Sequence, residues 1–170
     1  MPFLQQLSDA LIWKRDAIAQ GQLWRLATGN FVHLSWGHAL ANVIGLAIWW
    51  RMESLSDRPL SARTRIAVLA TGSIGVGVLL FFFSSYQWYA GASGVVYGLF
   101  ALTALRSGAR GLVMLGLLLT WLLMGPRYVS YSFPVAVDAH WSGLALGMAL
   151  ALTLRACQWL RRGGPVNTPA

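Results

Sequence analysis

The most restrictive stretch of this chain runs from Gly91 to Arg106. In it Gly91-Ala92-Ser93-Gly94-Val95-Val96-Tyr97-Gly98 opens an apolar run that ends at Arg106. Ser93 to Leu105 reads as a helix. At 1.5 Å per residue it is about 20 Å long, short of the roughly 30 Å hydrocarbon core of a bilayer. With Arg106 at one surface, its serine end lies below the other. The chain leading to it, Ser84 to Ala92, is then irregular backbone at membrane depth. Such backbone is tolerated only inside protein or beside a water-filled cavity. The sequence thus predicts a hydroxyl, a helix N-terminus and water together inside a membrane, a setting suited to hydrolysis.

Composition supports the membrane assignment. The chain is 56% hydrophobic and only 11% charged, against about 25% charged residues in soluble domains. Nine Trp and 18 Gly suit a small polytopic membrane protein. The expected fold is all-α and polytopic, one domain over residues 1–170. A membrane core at 31–155 lies between an amphipathic, outer-loop segment at 1–30 and a basic, frayed cytoplasmic tail at 156–170. The net charge of +8 comes from basic residues in short breaks between apolar runs. They read as topology signals rather than a nucleic-acid surface. The single Cys157 excludes an intrachain disulfide and disfavours a Cys-based metal site. No cofactor is expected. Residues 1–23 lack the continuous apolar core of a signal peptide.

Leu4, Leu7, Leu11 and Ile12 fit one face of a short amphipathic helix, while Asp9, Lys14, Arg15 and Asp16 exclude a span there. Trp24 and Arg25 read as an interfacial anchor. Five spans follow, at about 36–50, 66–83, 93–105, 112–124 and 139–154, the fourth stopped by Gly125-Pro126. Loops alternate between sides. Arg51, Arg58, Arg63, Arg65, Arg106, Arg110, Arg155, Arg161 and Arg162 share one side, against Lys14, Arg15, Arg25 and Arg127 on the other. By the positive-inside rule the first side is cytoplasmic, so Ser93 is approached from outside and the C-terminus is cytoplasmic.

Three spans carry polar groups that a lipid-facing helix would not keep. His38 and Asn42 are four apart and share a face, as do Ser93 and Tyr97. His140 opens the last span, with Gly143 and Gly147 following. Gly94/Gly98 and Gly143/Gly147 are small-xxx-small pairs that let helix backbones approach closely. If those faces meet, His140 is carried toward Ser93. A serine hydroxyl is a weak nucleophile and needs a base within hydrogen-bond reach. His140 is the best base by position. His38, Asn42 and the Ser93 backbone N–H can donate to a developing oxyanion.

Each feature has a plainer reading. Ser93 alone fits a packing residue bonded to its own helix, and each histidine a helix–helix bond. Tyr97 suits packing, and His33 a loop or interfacial position. A metal site from His33, His38 and His140 is disfavoured, because no carboxylate or Cys stands at a usual ligand spacing. Asp138 suggests a triad with His140, but neighbours in sequence point apart on a helix, so a capping role is preferred.

Together, His38-x3-Asn42, Gly91-x-Ser93-Gly94 and Ala139-His140-x2-Gly143-x3-Gly147, each on its own span and in this order, resemble the rhomboid intramembrane serine proteases. Trp24-Arg25, His33 and Tyr97 fit as well, over residues 22 to 155. The resemblance implies a rhomboid-like helix bundle and a Ser93–His140 dyad without an acid. It implies an oxyanion hole from His38, Asn42 and the Ser93 N–H, with Tyr97 packed under His140. The short chain and the stretch from Asp16 to Arg25 look closest to the rhombosortase branch. That branch implies a bacterial inner-membrane enzyme whose membrane-anchored substrates bear a C-terminal Gly-Gly sorting tail.

The family core has six spans, one of them ahead of the Trp-Arg loop, and this chain has five. The expectation is a further helix ahead of Met1 in the working enzyme, with Met1 an internal methionine; a five-span variant is the other reading. Two further functions compete with the peptidase. A catalytically silent rhomboid-like binder of client helices is disfavoured because both dyad positions are filled. A transporter or proton relay is disfavoured because no span is expected to carry a buried carboxylate. The sequence leaves the oligomeric state open.

Overall fold

The computed structural model describes residues 8–128 and 136–161 of the chain. After a single helical turn at 8–11 come β1 (Trp13–Lys14), α1 (Arg15–Ala19), α2 (Arg25–Thr28) and a 3-10 turn at Gly29–Phe31. The long helices follow: α3 (Trp36–Ser54), α4 (Ala62–Phe83), α5 (Ser93–Arg106), α6 (Gly108–Tyr128) and α7 (Val137–Arg161). A second two-residue strand, β2 (Trp88–Tyr89), lies in the connection from α4 to α5 and pairs antiparallel with β1, Trp13 opposite Tyr89.

The helix starts follow from local chemistry. The Ser35 side chain accepts the His38 N–H at 3.2 Å at the start of α3. Ser61 accepts the Thr64 N–H at the same distance at the start of α4. Each satisfies a first-turn donor that has no partner within its helix. At α5 the N-cap is Ala92, with no side-chain cap.

The short helix α5 is the centre of the bundle. It packs against α3, α4, α6 and α7, most extensively against α7. Its Val95, Leu99, Ala101, Leu102 and Ala104 are buried. A 14-residue helix is about 21 Å long, so protein surrounds it where it falls short of a bilayer. The outer helices keep apolar faces exposed, such as Leu112, Val113 and Leu117 on α6 and Leu40, Val43 and Ile44 on α3. These are the surfaces a hydrocarbon environment covers.

Among the described residues, α4 and α7 are long and apolar enough to cross a membrane. The bent pair Arg25–Phe31 and Trp36–Ser54, at 101°, would be a third if it forms one span. The helices stand where the five apolar runs were expected, but length and hydropathy qualify two or three of them rather than five.

Two expectations need correction, the end of the fourth helix and the interfacial reading of Arg25. The fourth apolar helix does not stop at Gly125-Pro126; its backbone stays helical to Tyr128. Proline removes one backbone donor, and the helix continues past that lost bond for two more residues. Within the expected amphipathic, outer-loop segment, residues 8–30 pack against the helices. Of the amphipathic helix, only the turn at 8–11 is seen, and Leu4 and Leu7 lie outside the described residues. Trp13 is fully buried and its indole N–H donates to the Gly77 carbonyl at 3.1 Å. Arg25 is buried too, donating to Gln22 Oε1 at 2.7 Å and to the Asp9 and Ile12 carbonyls at 2.9 and 2.6 Å. It ties this segment together, while Trp24 remains exposed. The expected 129–135 part of the α6–α7 loop and residues 162–170 of the tail lie outside the described residues.

The end of α5 away from Ser93 is also anchored. Glu53 is fully buried and pairs with Arg106 at 2.6 Å. It accepts the Thr103 hydroxyl at 2.7 Å and the Leu60 N–H at 2.9 Å. The Trp49 indole donates to Thr103 Oγ1 at 3.1 Å. Arg106 is therefore not a lone surface charge. The network joins α3, the α3–α4 loop and α5, and each carboxylate oxygen has a partner.

Candidate active site

Two glycine ladders decide how α5 and α7 meet. A Cβ on Gly94 would lie 2.6 Å from the Ala139 carbonyl oxygen, and one on Gly98 2.6 Å from that of Gly143. Cβ atoms on Gly143 and Gly147 would collide with the Gly94 and Gly98 carbonyls. The two backbones are in contact, which only residues without a side chain permit.

This contact brings the first residue of α5 beside the first turn of α7. His140 Nε2 stands 2.9 Å from Ser93 Oγ. His140 is buried, and Tyr97 stacks on its ring with centroids 4.3 Å apart and planes 15° apart. Tyr97 lies one turn below Ser93, so a single helix supplies both the hydroxyl and the surface that orients its partner ring. Asp138 is in the first turn of α7, where an acidic side chain suits the helix dipole. Its backbone N–H donates to the Tyr86 hydroxyl at 3.4 Å.

The other wall comes from α3 and the α4–α5 loop. Gly91 has φ +124°, and a Cβ there would meet His38 Cε1 and Nε2 at 2.5 and 2.8 Å. The His38 ring therefore lies directly against the backbone two residues ahead of Ser93. The His33 ring packs edge-on against His38 at 5.1 Å and its Nδ1 lies 3.2 Å from the Phe31 carbonyl. Asn42 is buried one turn below His38 and donates to its carbonyl at 3.1 Å. That bond uses one of the two amide hydrogens. At the start of α5 the first N–H groups have no acceptor within the helix, and Ala92 offers no side-chain cap. Such groups at a helix start suit a negatively charged oxygen.

Two residues in this region were not singled out for the site by sequence reasoning. Arg15 was read only as a charge that excludes a span. Its Nε donates to the Tyr86 carbonyl at 2.9 Å, and Nη2 to those of Leu80 and Ser84 at 3.0 and 2.7 Å. Nη1 donates to the Phe81 carbonyl. One guanidinium thus caps the end of α4 and holds the start of the loop that delivers Ser93. No local signal marks it, because its partners lie 65 to 71 positions along the chain. Tyr89 is the second: it is buried, and its hydroxyl donates to the Gly91 carbonyl. A tyrosine two residues before a glycine in an uncharged loop was a visible hint.

A compact membrane-type helix bundle with a buried Ser–His contact below a glycine-led loop is the class these observations define. The rhomboid domain model matches residues 20–157. The chain belongs to the rhomboid family. It is 31% identical over 156 residues to the Rhomboid protease GlpG of Enterobacter sp. (strain 638), covering 86% of this chain and 54% of that protein. It is 30% identical over 150 residues to the protein of that name from Klebsiella pneumoniae subsp. pneumoniae, covering 83% of this chain and 52% of the relative. The Rhomboid protease GlpG of Salmonella choleraesuis is 31% identical with the same coverages. The chain spans about half the length of the curated relatives it matches.

Proposed function

We propose that the chain is an intramembrane serine peptidase with Ser93 as nucleophile and His140 as its base. The observation that carries this reading is the 2.9 Å approach of Ser93 Oγ to His140 Nε2, on helices whose glycines leave no slack. In the proposed reaction Ser93 Oγ attacks the scissile carbonyl carbon while its proton passes to His140 Nε2. The carbonyl oxygen becomes an oxyanion held by the Ser93 N–H, His38 and Asn42. His140 then protonates the leaving amine, the C–N bond breaks, and the C-terminal fragment departs with a new amino terminus, leaving the N-terminal fragment as an acyl ester on Ser93. Water, deprotonated by His140, hydrolyses the acyl ester and restores the hydroxyl. Tyr97, stacked on the ring face, orients the imidazole, a task that an acid bonded to the ring edge performs in a triad. The buried setting strengthens the oxyanion contacts by excluding competing water.

Substrates of this site are membrane-anchored proteins with a helix break near the extracytoplasmic end of their span. An intact helix keeps its carbonyls bonded, and Gly or Ala there lowers the cost of opening them. The Asp16–Arg25 stretch supports placement in the rhombosortase branch, with Gly-Gly sorting tails as the cleaved class. The distribution of arginines supports an inner-membrane, multi-pass arrangement of five spans, the site opening outward and the C-terminus cytoplasmic. The test is cleavage of a Gly-Gly-tailed membrane substrate in lipid, together with fluorophosphonate labelling. Ser93→Ala and His140→Ala should each abolish cleavage while the protein still inserts. Wild-type cleavage by Ser93→Ala would overturn the mechanism. An unlabelled, inactive wild type would favour a helix-binding protein instead.

A further inference from the structure

The backbone just ahead of Ser93 poses a problem that its local sequence does not solve. Gly91 must be glycine, because its φ is +124° and the His38 ring occupies the space of a Cβ. A glycine at this place is also free to rotate. Rotation of the peptide between residues 91 and 92 would swing a carbonyl oxygen toward the corner where N–H groups collect. It would also displace Ser93 from His140.

Both polar groups of Gly91 are held. Its N–H donates to the Gly29 carbonyl at 3.0 Å. Its carbonyl accepts the Tyr89 hydroxyl. That hydroxyl also lies close to the Ser93 side chain and the Gly94 backbone. A phenol has one hydrogen. It is given to the Gly91 carbonyl. The Tyr89 ring has little freedom of its own. It is 2% exposed, and its backbone is paired to Trp13, whose indole is bonded to Gly77 in α4.

We propose that Tyr89 is a positioning residue of the active site: its hydroxyl clamps the Gly91 carbonyl and so fixes the two-residue lead-in that places Ser93 Oγ and the first N–H groups of α5. This rests on the Ser93–His140 reading. It assigns the N-terminal segment a part in the chemistry, since β1 holds the strand from which Tyr89 reaches the loop.

The test is Tyr89→Phe in the full chain, in lipid, which removes one oxygen and leaves the ring and strand pairing. Four quantities are read: thermal midpoint, kcat and KM on a membrane-anchored peptide, fluorophosphonate labelling rate at Ser93, and amide exchange at Gly91 and Ala92. The expected result is an unchanged KM and a midpoint within a few degrees of wild type. Exchange at the two amides should be faster, and kcat and labelling should fall together by about 10- to 100-fold, the scale of a sub-ångström misplacement. Unchanged kcat and labelling in a folded variant would overturn the proposal. So would an activity loss that merely tracks loss of folded protein. If Ser93 is unlabelled in the wild type as well, the Ser93–His140 reading fails, and with it the catalytic role of Tyr89. Accelerated exchange at Gly91 would then still show the clamp as a structural device.

Discussion

Gly98→Ala isolates what the α5–α7 contact does for the site, because Gly98 touches neither Ser93 nor His140. The added Cβ would lie 2.6 Å from the Gly143 carbonyl oxygen and 3.2 Å from its carbon. Both are backbone atoms and cannot rotate aside. Ordinary contact begins at 3.4 Å, so the helices must part locally by about 0.8 Å. Overpacking of this kind costs about 1–3 kcal/mol. Gly98 lies below Ser93 on α5, and Gly143 less than one turn beyond His140 on α7. A rigid separation there lengthens the 2.9 Å contact between Ser93 Oγ and His140 Nε2 to about 3.5 Å or more, past the hydrogen-bond range. We predict a rate loss of about 100-fold with most of the protein still folded. The assay is kcat on a membrane-anchored peptide, normalised to folded protein by thermal unfolding. Gly116→Ala is the control: nothing lies within 4 Å of its Cβ position, and helix propensity favours alanine. Wild-type activity and stability in Gly98→Ala would refute the claim that backbone contact between α5 and α7 sets the dyad distance.

Three further outcomes follow from the packing. Arg15→Lys should lower stability by about 2 kcal/mol or more in a thermal or denaturant assay, because one ammonium cannot reach carbonyls spread over the end of α4 and the loop beyond it. Glu53→Gln should destabilise the fold by about 3–5 kcal/mol, since it leaves the Arg106 guanidinium without a counter-charge in a buried network; an unchanged unfolding midpoint would contradict that. His38→Ala with Asn42→Ala should cut turnover by about 10²-fold or more while fluorophosphonate labelling of Ser93 persists more slowly. Unchanged turnover would remove both residues from the oxyanion site.

Much of the architecture is legible in the primary structure because its signals are local. Each apolar run marks a helix, as with Ile66–Phe83 behind Arg63 and Arg65. The four-residue spacings of Gly94/Gly98 and Gly143/Gly147 announce two faces able to meet. Ser93 four before Tyr97 and His38 four before Asn42 place polar groups on common faces without any tertiary knowledge. The proline at 126 misleads for a local reason too, since propensity penalises it although the helix continues to Tyr128.

The sequence by itself determined the helices, the faces that α5 and α7 can press together, and the residue types gathered at their outer ends. Long-range packing decided the 2.9 Å distance between Ser93 Oγ and His140 Nε2, the bond from the Tyr89 hydroxyl to the Gly91 carbonyl, and the part played by residues 8–31. Trp13 meets Gly77 across 64 positions, and Arg15 meets Tyr86 across 71. Such contacts leave no periodicity to read. They form only once α4 presents its carbonyls, and a lone Arg or Trp ahead of a membrane domain looks the same with or without them.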